Sequence, residues 1–322
     1  MDSILEVRHL KKYFYFNTSG CALHAVDDIS FSVGKGKTIG VVGESGCGKS
    51  TLGRVILGLL PVTDGQICFK GEDITRARGR RRKQLRREMQ MIFQDPFSSL
   101  DPRLCTAELI AEPLRIFRVC RTRDEEECRV KELMDTVGIS AHMAYAYPHE
   151  LDGGRRQRIG IARALALDPD FVVCDEPVSA LDVSIQAQVL NLLKELQRDK
   201  GLAYMFITHD LSVVRHVSDD ILVMYMGQMV EKAPAKELFC RPMHPYTRGL
   251  ISAIPVPSLH RERRHILLKG EVTSPVDPEP GCRFLARCPY AKERCACEQP
   301  TLVECGPDHL TACHFIHEIH GS

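Results

Sequence analysis

The most constraining feature of this sequence is a glycine-rich segment between two apolar runs. Residues 38–42 read Thr-Ile-Gly-Val-Val, and an amphipathic pattern resumes over residues 51–57. The spacing between these runs is G-x-x-x-x-G-K-[ST], which predicts a strand, a phosphate-binding loop and a helix that begins near Lys49. The loop residues are Gly43, Glu44, Ser45, Gly46, Cys47, Gly48, Lys49, Ser50 and Thr51.

This residue pattern has a direct chemical meaning. Gly46 and Gly48 leave room for the backbone to wrap a phosphate, and the following helix adds the positive end of its dipole. Lys49 would reach the β- and γ-phosphates, and the Ser50 hydroxyl would bind Mg²⁺. The segment therefore predicts a site for a nucleoside triphosphate with its magnesium ion.

The charge balance excludes some function classes. Lys plus Arg number 43 and Asp plus Glu number 42, a net charge of +1, so composition gives no reason to expect nucleic-acid binding. A basic run at 76–87 has no interleaved aromatic residue and is interpreted as a solvated helix face. The N-terminus lacks a signal-peptide pattern. The apolar run Ile221–Val230 has 10 residues, too few to span a bilayer.

Several polar residues follow predicted strands. The run 171–175 is continuously apolar until Asp175, which suits a central strand of a parallel sheet, and Glu176 follows it. We expect Asp175 to anchor Mg²⁺ and Glu176 to act as general base on the attacking water. Gln94 follows another strand and is placed to touch metal and water. His209 follows a third and is placed to hold the γ-phosphate or to position Glu176.

Other stretches define the remaining organisation. Tyr13 lies in an aromatic run that suits either a core position or a platform for a stacked base. Thr122 and Glu125 form a capping box at the start of a helix, within a mostly helical region from about 95 to 160. Past about residue 255 proline becomes frequent, which predicts a small irregular C-terminal domain. The predicted fold class is α/β.

Taken together, these motifs resemble the ATPase subunits of ABC transporters, along residues 1 to about 250. The resemblance implies a RecA-like P-loop core with an antiparallel β subdomain and an α-helical subdomain. It also implies that Tyr13 stacks adenine, Gln94 lies in the Q-loop, Asp175 and Glu176 form Walker B, and His209 is the H-switch. The D-loop corresponds to Ser179, Ala180, Leu181 and Asp182, and the signature to Leu151, Asp152, Gly153, Gly154 and Arg155.

Three segments resemble the dipeptide, oligopeptide and nickel importer subfamily: residues 90–103, 244–250 and 281–289. The resemblance implies an ATPase domain at 1–254, a C-terminal domain at 255–322, and a peripheral position on the cytoplasmic face of the inner membrane. It further implies a second, different ATPase subunit, two membrane permeases and, indirectly, an extracytoplasmic solute-binding protein. Dipeptide, oligopeptide, nickel complex and glutathione all remain open as the solute.

The signature departs from the family's Leu-Ser-Gly-Gly-Gln, because Asp152 replaces the serine and Arg155 the glutamine. In this family each signature faces the ATP bound by the partner, and an ionised Asp152 cannot donate a hydrogen bond to a γ-phosphate. We therefore expect an asymmetric heterodimer, in which the ATP site that uses this signature is weak. The alternative is a tolerated substitution, with Arg155 compensating the charge.

The C-terminal cysteines have the spacing C-x5-C-x6-C-x17-C, formed by Cys282, Cys288, Cys295 and Cys313. Four thiolates suit zinc or an iron–sulfur cluster, and zinc sites usually have tighter cysteine pairs. The spacing resembles the four-cysteine [4Fe–4S] motif of peptide-importer ATPases. We expect that cluster, with zinc as the alternative, to act as a staple for a small domain.

A different class of function stays open on the sequence alone. Some ABC-type ATPases act on nucleic acid or ribosomes without a membrane protein, and the basic run at 76–87 is the one feature in favour of that function. Those proteins commonly carry two cassettes, whereas this chain has one. An ATPase-inactive regulatory subunit is disfavoured because Asp175, Glu176 and His209 are intact.

Overall fold

The computed structural model describes residues 3–16, 20–95, 99–254, 266, 268, 270 and 274–320. Over these residues the strands are β1 (Ser3–Tyr15), β2 (Ala22–Gly34), β3 (Thr38–Val42), β4 (Asp64–Phe69), β5 (Glu72–Asp73), β6 (Met89–Ile92), β7 (Phe171–Asp175), β8 (Ala203–Thr208), β9 (Asp220–Tyr225), β10 (Gln228–Pro234), β11 (Val303–Gly306) and β12 (His309–Thr311).

The helices in the same described ranges are α1 (Lys49–Ile56), α2 (Gly79–Glu88), α3 (Thr106–Phe117), α4 (Arg123–Thr136), α5 (Gly153–Leu165), α6 (Val183–Lys200), α7 (Leu211–Val217), α8 (Ala235–Cys240), α9 (Pro245–Ser252), α10 (Glu293–Cys297) and α11 (Ile316–His320). Short 3₁₀ turns lie at Ala141–Met143, Pro148–Glu150 and Leu285–Arg287. Among these described helices, none combines the length and apolar character that a membrane span requires.

The chain forms two compact units. The first comprises residues 1–4, 34–37 and 77–206, and the second 5–33, 38–76 and 207–322. The predicted boundary between residues 254 and 255 stays a prediction, and residue 255 itself lies outside the described residues. In the second unit, β12 hydrogen-bonds antiparallel to β10, and β11 pairs with β12. The C-terminal residues therefore share a unit with the phosphate-binding loop.

The first unit combines three strands with helices. Its strands run in the order β8-β7-β6, and β6 and β7 are parallel, with Ile92 in register with Cys174. All residues of β7 are buried, as the continuous apolar run predicts. The predicted helical region contains α3, α4 and α5. The predicted capping box is confirmed, because Thr122 accepts from the Glu125 amide at 3.2 Å.

The basic run lies in the same unit. Most of it forms α2, in which Leu85 is the buried residue, as expected of a solvated helix face. Arg81 is paired with Glu88 at 3.4 Å, so part of the positive charge is compensated within the helix itself.

The second unit holds an antiparallel sheet and a mixed sheet. The antiparallel sheet has the order β2-β1-β4-β5, and β1 extends to Tyr15. In the mixed sheet, of order β11-β12-β10-β9-β3, β3 is parallel to β9. Strands β9 and β10 form a hairpin that turns at Gly227.

An aromatic cluster forms part of the second unit's core. The rings of Tyr225, Tyr246 and Phe284 pack against one another with centroids 4.8–5.5 Å apart. All three are almost fully buried, and Cys282 and Cys288 pack against the same core. Phe284 belongs to the C-terminal segment, so its burial anchors that segment in the unit that carries β3 and α1.

Candidate functional site

The glycine-rich loop has the predicted form within the second unit. The fully buried strand β3 leads into it, and α1 begins at Lys49. Gly48 has φ of 105°, and a Cβ there would lie 1.9 Å from the Ala25 carbonyl oxygen. Glycine is therefore required at this point by both conformation and space.

Lys49 lies folded onto the loop. Its ammonium donates to the carbonyl oxygens of Gly43 at 2.8 Å and Glu44 at 2.9 Å, and the residue is 5% exposed. A cation is thus held against loop backbone at the start of a helix, where the helix dipole also favours an anion. Ser50 and Thr51 continue α1 as expected. The arrangement suits the phosphates of a nucleotide.

Tyr13 is partly buried. Its ring stacks on His24, with centroids 3.9 Å apart, and its hydroxyl donates to Asp27. Burial alone would raise the pKa of Asp27, but the Tyr13 hydrogen bond and the charge of Arg283 outweigh it, so the pKa is lowered. His24 and Asp27 were not identified from the sequence, because no spacing signal relates residues on two antiparallel strands.

The predicted catalytic carboxylates lie in the first unit. Asp175 ends β7 and is 1% exposed, and Glu176 follows it with φ of 45°. Gln94 Nε2 donates to Glu176 Oε2 at 2.8 Å, so the structure brings these two predicted residues together. His209 follows β8 and is exposed, and it belongs to the second unit. Of the family-like segment 90–103, residues 96–98 lie outside the described residues.

The signature and D-loop segments meet in the first unit. A Cβ on Gly154 would lie 2.6 Å from Ile185 Cγ2, and one on Gly153 would lie 3.2 Å from Leu181 Cδ2. The signature glycines thus allow α5 to approach the D-loop and α6 closely. The Ser179 Oγ donates a hydrogen bond to the Glu176 carbonyl oxygen at 3.2 Å. The D-loop is thereby hydrogen-bonded to the residue that follows the Walker B strand.

The substituted signature residues interact with each other. Asp152 caps α5, since its Oδ1 accepts from the Arg155 amide at 2.8 Å. The Arg155 guanidinium also lies 3.2 Å from Asp152 Oδ2, and both side chains are about half exposed, at 48% and 57%. Aspartate therefore keeps the helix-capping role that a serine would have. Its charge is partly compensated by the second substitution.

The four C-terminal cysteines converge, but they form no recognisable metal site. Cys282, Cys288, Cys295 and Cys313 line one small cavity with Phe284. Burial raises the pKa of Cys282 to about 12 and also raises those of Cys288 and Cys313. Across the described part of the chain, no group of three or more His, Cys, Asp or Glu side chains is arranged to hold a metal ion. The expected [4Fe–4S] cluster and the zinc alternative are thus not supported by the structure.

The chain has a phosphate-binding loop onto which its lysine folds. It also has an acidic strand end, where a glutamate is hydrogen-bonded to a glutamine. These features define the chain as a P-loop ATPase. The profile described as ABC transporter matches residues 26–179, and that of the oligopeptide/dipeptide transporter C-terminal region matches residues 230–295. The oligopeptide transport ATP-binding protein AppF of Bacillus subtilis is 50% identical over 98% of both chains. OppF of Salmonella typhimurium, a protein of the same description, is 48% identical over 93% of this chain and 92% of its own.

Solved structures agree with this class. The dimeric ATP-binding cassette MJ0796, in a post-hydrolysis state with ADP and Pi, superposes with a TM-score of 0.65 and 26% identity, over 72% of this chain and 98% of its own. The chain belongs to the ABC transporter ATP-binding subunits, in the family of the oligopeptide transport ATP-binding proteins. It is an ABC-type ATPase.

Proposed function

We propose that this ATPase energises the import of di- or oligopeptides, or a related small solute, through membrane permeases. The observation that carries the proposal is the match of residues 230–295 to the oligopeptide/dipeptide transporter C-terminal region, beyond the general cassette. The relatives named above match this chain along almost their whole length, and they are described as oligopeptide transport proteins. The chain would act as a peripheral subunit on the cytoplasmic face of the membrane.

A groove in the first unit suits the docking of a permease segment. It has a volume of about 430 Å³ and is lined by Phe93, Pro113, Gln157 and Arg163, among others. Phe93 is 46% exposed, and the buried Gln157 Nε2 has no hydrogen-bond partner among the residues that the structure describes. An apolar ring beside an unsatisfied amide donor fits a segment that offers both an apolar side chain and a carbonyl. Phe93 immediately precedes Gln94, which is hydrogen-bonded to Glu176. Docking at Phe93 would therefore change the position of Gln94.

We assign the ATPase roles as the resemblance implies. Tyr13 stacks adenine, residues 43–51 hold the phosphates, and Ser50, Gln94 and Asp175 serve Mg²⁺. Glu176 is the general base, and its contact with Gln94 supports that role because the amide orients the carboxylate. His209 contacts the γ-phosphate.

The signature substitutions support an asymmetric ATPase pair, in which a different subunit supplies the intact signature. This chain's own P-loop and Glu176 would then form the hydrolytic site, while the site facing Asp152 is slower. The Asp152–Arg155 contact reduces the expected repulsion between the Asp152 carboxylate and a nucleotide without removing it, because the ion pair is half exposed and weak.

We further propose that the four cysteines, which line one cavity, hold a [4Fe–4S] cluster. The donor set fits in kind, since all four are thiols and a cation is needed to keep such buried thiols deprotonated. A bound cluster would supply a structural cross-link among these residues. Protein purified without oxygen should be brown and contain iron, and Cys295→Ser should abolish the colour. Colourless protein with stoichiometric zinc would refute the cluster.

Import is tested by peptide uptake in cells that carry the complete transporter but lack this chain. Wild type and Tyr145→Ser should restore uptake of a labelled peptide, because Tyr145 is an exposed aromatic away from the groove. Phe93→Ser should not restore it, although its purified ATPase should bind ATP normally. Full uptake with Phe93→Ser would exclude the groove as the docking surface. Wild type that fails to restore uptake would overturn the import proposal.

A function on nucleic acid or ribosomes is not favoured. The basic helix α2 shows the internal Arg81–Glu88 pairing, and the family to which the chain belongs is one of transporter subunits.

A further inference from the structure

Two buried arginines lie in the short segment between Cys282 and Cys288. The side chains of Arg283 and Arg287 are 5% and 8% exposed. Removing a guanidinium from water is costly unless it is paired, so each partner matters. The partner of Arg287 is Glu44 in the phosphate-binding loop, and the partner of Arg283 is Asp27 on β2; both lie in the same unit as the segment.

Arg287 is bound to the phosphate-binding loop. Its two terminal nitrogens donate to the two carboxylate oxygens of Glu44, at 2.6 and 3.0 Å. The Glu44 amide donates to the Tyr246 hydroxyl at 2.9 Å, and the guanidinium lies 5.9 Å from the Tyr225 ring centroid. The hydrogen bonds to Glu44 are the main reason that the pKa of Arg287 is raised. An acidic residue inside a triphosphate cradle is thus neutralised and held in one orientation.

Arg283 is bound to the adenine platform. One terminal nitrogen donates to Asp27, which also accepts from the Tyr13 hydroxyl. Another donates to the carbonyl of Met226, in the hairpin turn before Gly227. Gly227 in turn donates its amide to the Cys47 carbonyl at 2.9 Å and accepts from the Asp27 amide at 2.8 Å. The same turn therefore touches the platform and the phosphate loop.

We propose that Arg287 and Arg283 are positioning residues of the ATP site, the first for the phosphates and the second for the base. The segment between the two cysteines fastens both halves of the nucleotide-binding surface, so its order sets the affinity for ATP. The proposal rests on ATP binding, and it needs neither a particular transported solute nor a bound cluster.

Two probes separate the halves of the site: Mg·ATP, which has a base, and Mg·tripolyphosphate, which has none. We expect Arg287→Ala to raise the Kd of both probes about tenfold, because it frees Glu44 beside the phosphates. Arg283→Ala should raise the Kd of ATP by a similar factor and leave that of tripolyphosphate within about twofold. The matched control is Arg294→Ala, which removes an exposed arginine paired with Glu298 in the same region and should change neither Kd.

A charge test distinguishes positioning from general loss of structure. In the Glu44→Gln background there is no carboxylate to neutralise. Arg287→Ala should therefore raise the Kd of the two probes by a smaller factor in that background than in wild type. Arg287→Lys should recover part of the tripolyphosphate affinity, because it restores the charge but only one hydrogen bond. The positioning role is wrong if each arginine variant raises the Kd of the two probes by the same factor. It is also wrong if Arg287→Ala has the same effect on Kd in the Glu44→Gln background as in wild type.

Discussion

Glu176 combines an unusual backbone with a specific partner. Its φ of 45° lies in the left-handed region, which a residue with a β-carbon adopts at a cost of about 1–3 kcal/mol. The conformation follows directly after the buried Asp175, and the carboxylate then meets Gln94 at 2.8 Å. Such strain persists where the surroundings hold it, and it is common at catalytic positions. The backbone thus supports the assignment that the sequence could make only from spacing.

We expect Glu176→Gln to bind ATP with wild-type affinity but to hydrolyse it at least about a hundredfold more slowly. The amide keeps the size of the side chain but cannot accept the proton of the attacking water. Steady-state phosphate release and nucleotide binding by equilibrium titration measure the two effects. Glu195→Gln, an exposed change on α6, should leave both unchanged. Wild-type turnover in Glu176→Gln would remove the general-base role.

His244 is a buried neutral histidine at the start of α9. Its Nδ1 accepts from the Tyr246 amide at 3.1 Å, and burial lowers its pKa to about 4. The buried Glu231 accepts from the His244 amide and from His309, so the negative charge nearest to His244 is already hydrogen-bonded.

Acid should therefore destabilise the protein through His244. The unfolded chain takes up the proton near pH 6.5 but the folded chain only near pH 4, so stability is lost as pH falls between these values. We expect a loss of about 2 kcal/mol between about pH 7 and about pH 5. His244→Asn, which can still cap the helix, should flatten this part of the urea-unfolding profile, whereas the exposed His216→Asn should not. Equal pH slopes in wild type and His244→Asn would contradict the argument.

At the scale of elements, the signature helix α5 shows how a substitution can keep structure and change chemistry. Asp152 caps the helix as serine would, so the departure from the family pattern does not disturb α5 itself. What changes is the chemical group at the signature position, from a hydroxyl donor to a carboxylate. The Arg155 contact is local and half exposed, so it offsets the new charge only in part.

We expect the double change Asp152→Ser with Arg155→Gln to raise ATP turnover of the assembled complex several-fold, because it restores a donor and removes the repulsion. Arg155→Gln alone should lower turnover, since it leaves the Asp152 charge uncompensated. Phosphate release by the reconstituted complex measures both. If the double variant turns over at the wild-type rate, the asymmetric-site hypothesis fails and the substitution is a tolerated one.

Local elements followed from local signals. The loop, the start of α1 and the Thr122 capping box could be predicted because their residues are neighbours in sequence and obey fixed spacings. The extent of β1 could not, because it depends on pairing with a distant strand, in which Lys11 stands opposite Asp64 of β4. The addition of β12 to β10 was missed for the same reason: the paired residues Glu231 and Thr311 are far apart in the chain.

At the scale of the whole molecule, the same distinction applies to the site. Lys49 and Glu176 could be singled out as candidates because they belong to motifs of neighbouring residues. Arg287 and Glu44 are 243 positions apart, and neither has a spacing that suggests the other. A contact of that kind is visible only once the fold places the C-terminal segment beside the phosphate loop. The cysteine spacing was similarly informative about convergence on one cavity but not about a metal, for which the described residues show no arrangement.

The complete assembly is testable with the chain trapped in its ATP-bound state. Glu176→Gln should bind ATP without hydrolysing it. Affinity purification of this variant from detergent-solubilised membranes with ATP should therefore recover two permeases and a second, different ATPase with an intact signature. Adding Phe93→Ser should lose the permeases and keep the second ATPase, since the groove and the signature are different surfaces of the first unit. Recovery of a second copy of this chain would show a symmetric pair and exclude the heterodimer. Recovery of ribosomes or nucleic acid without membrane proteins would leave the ATPase chemistry standing and remove the importer.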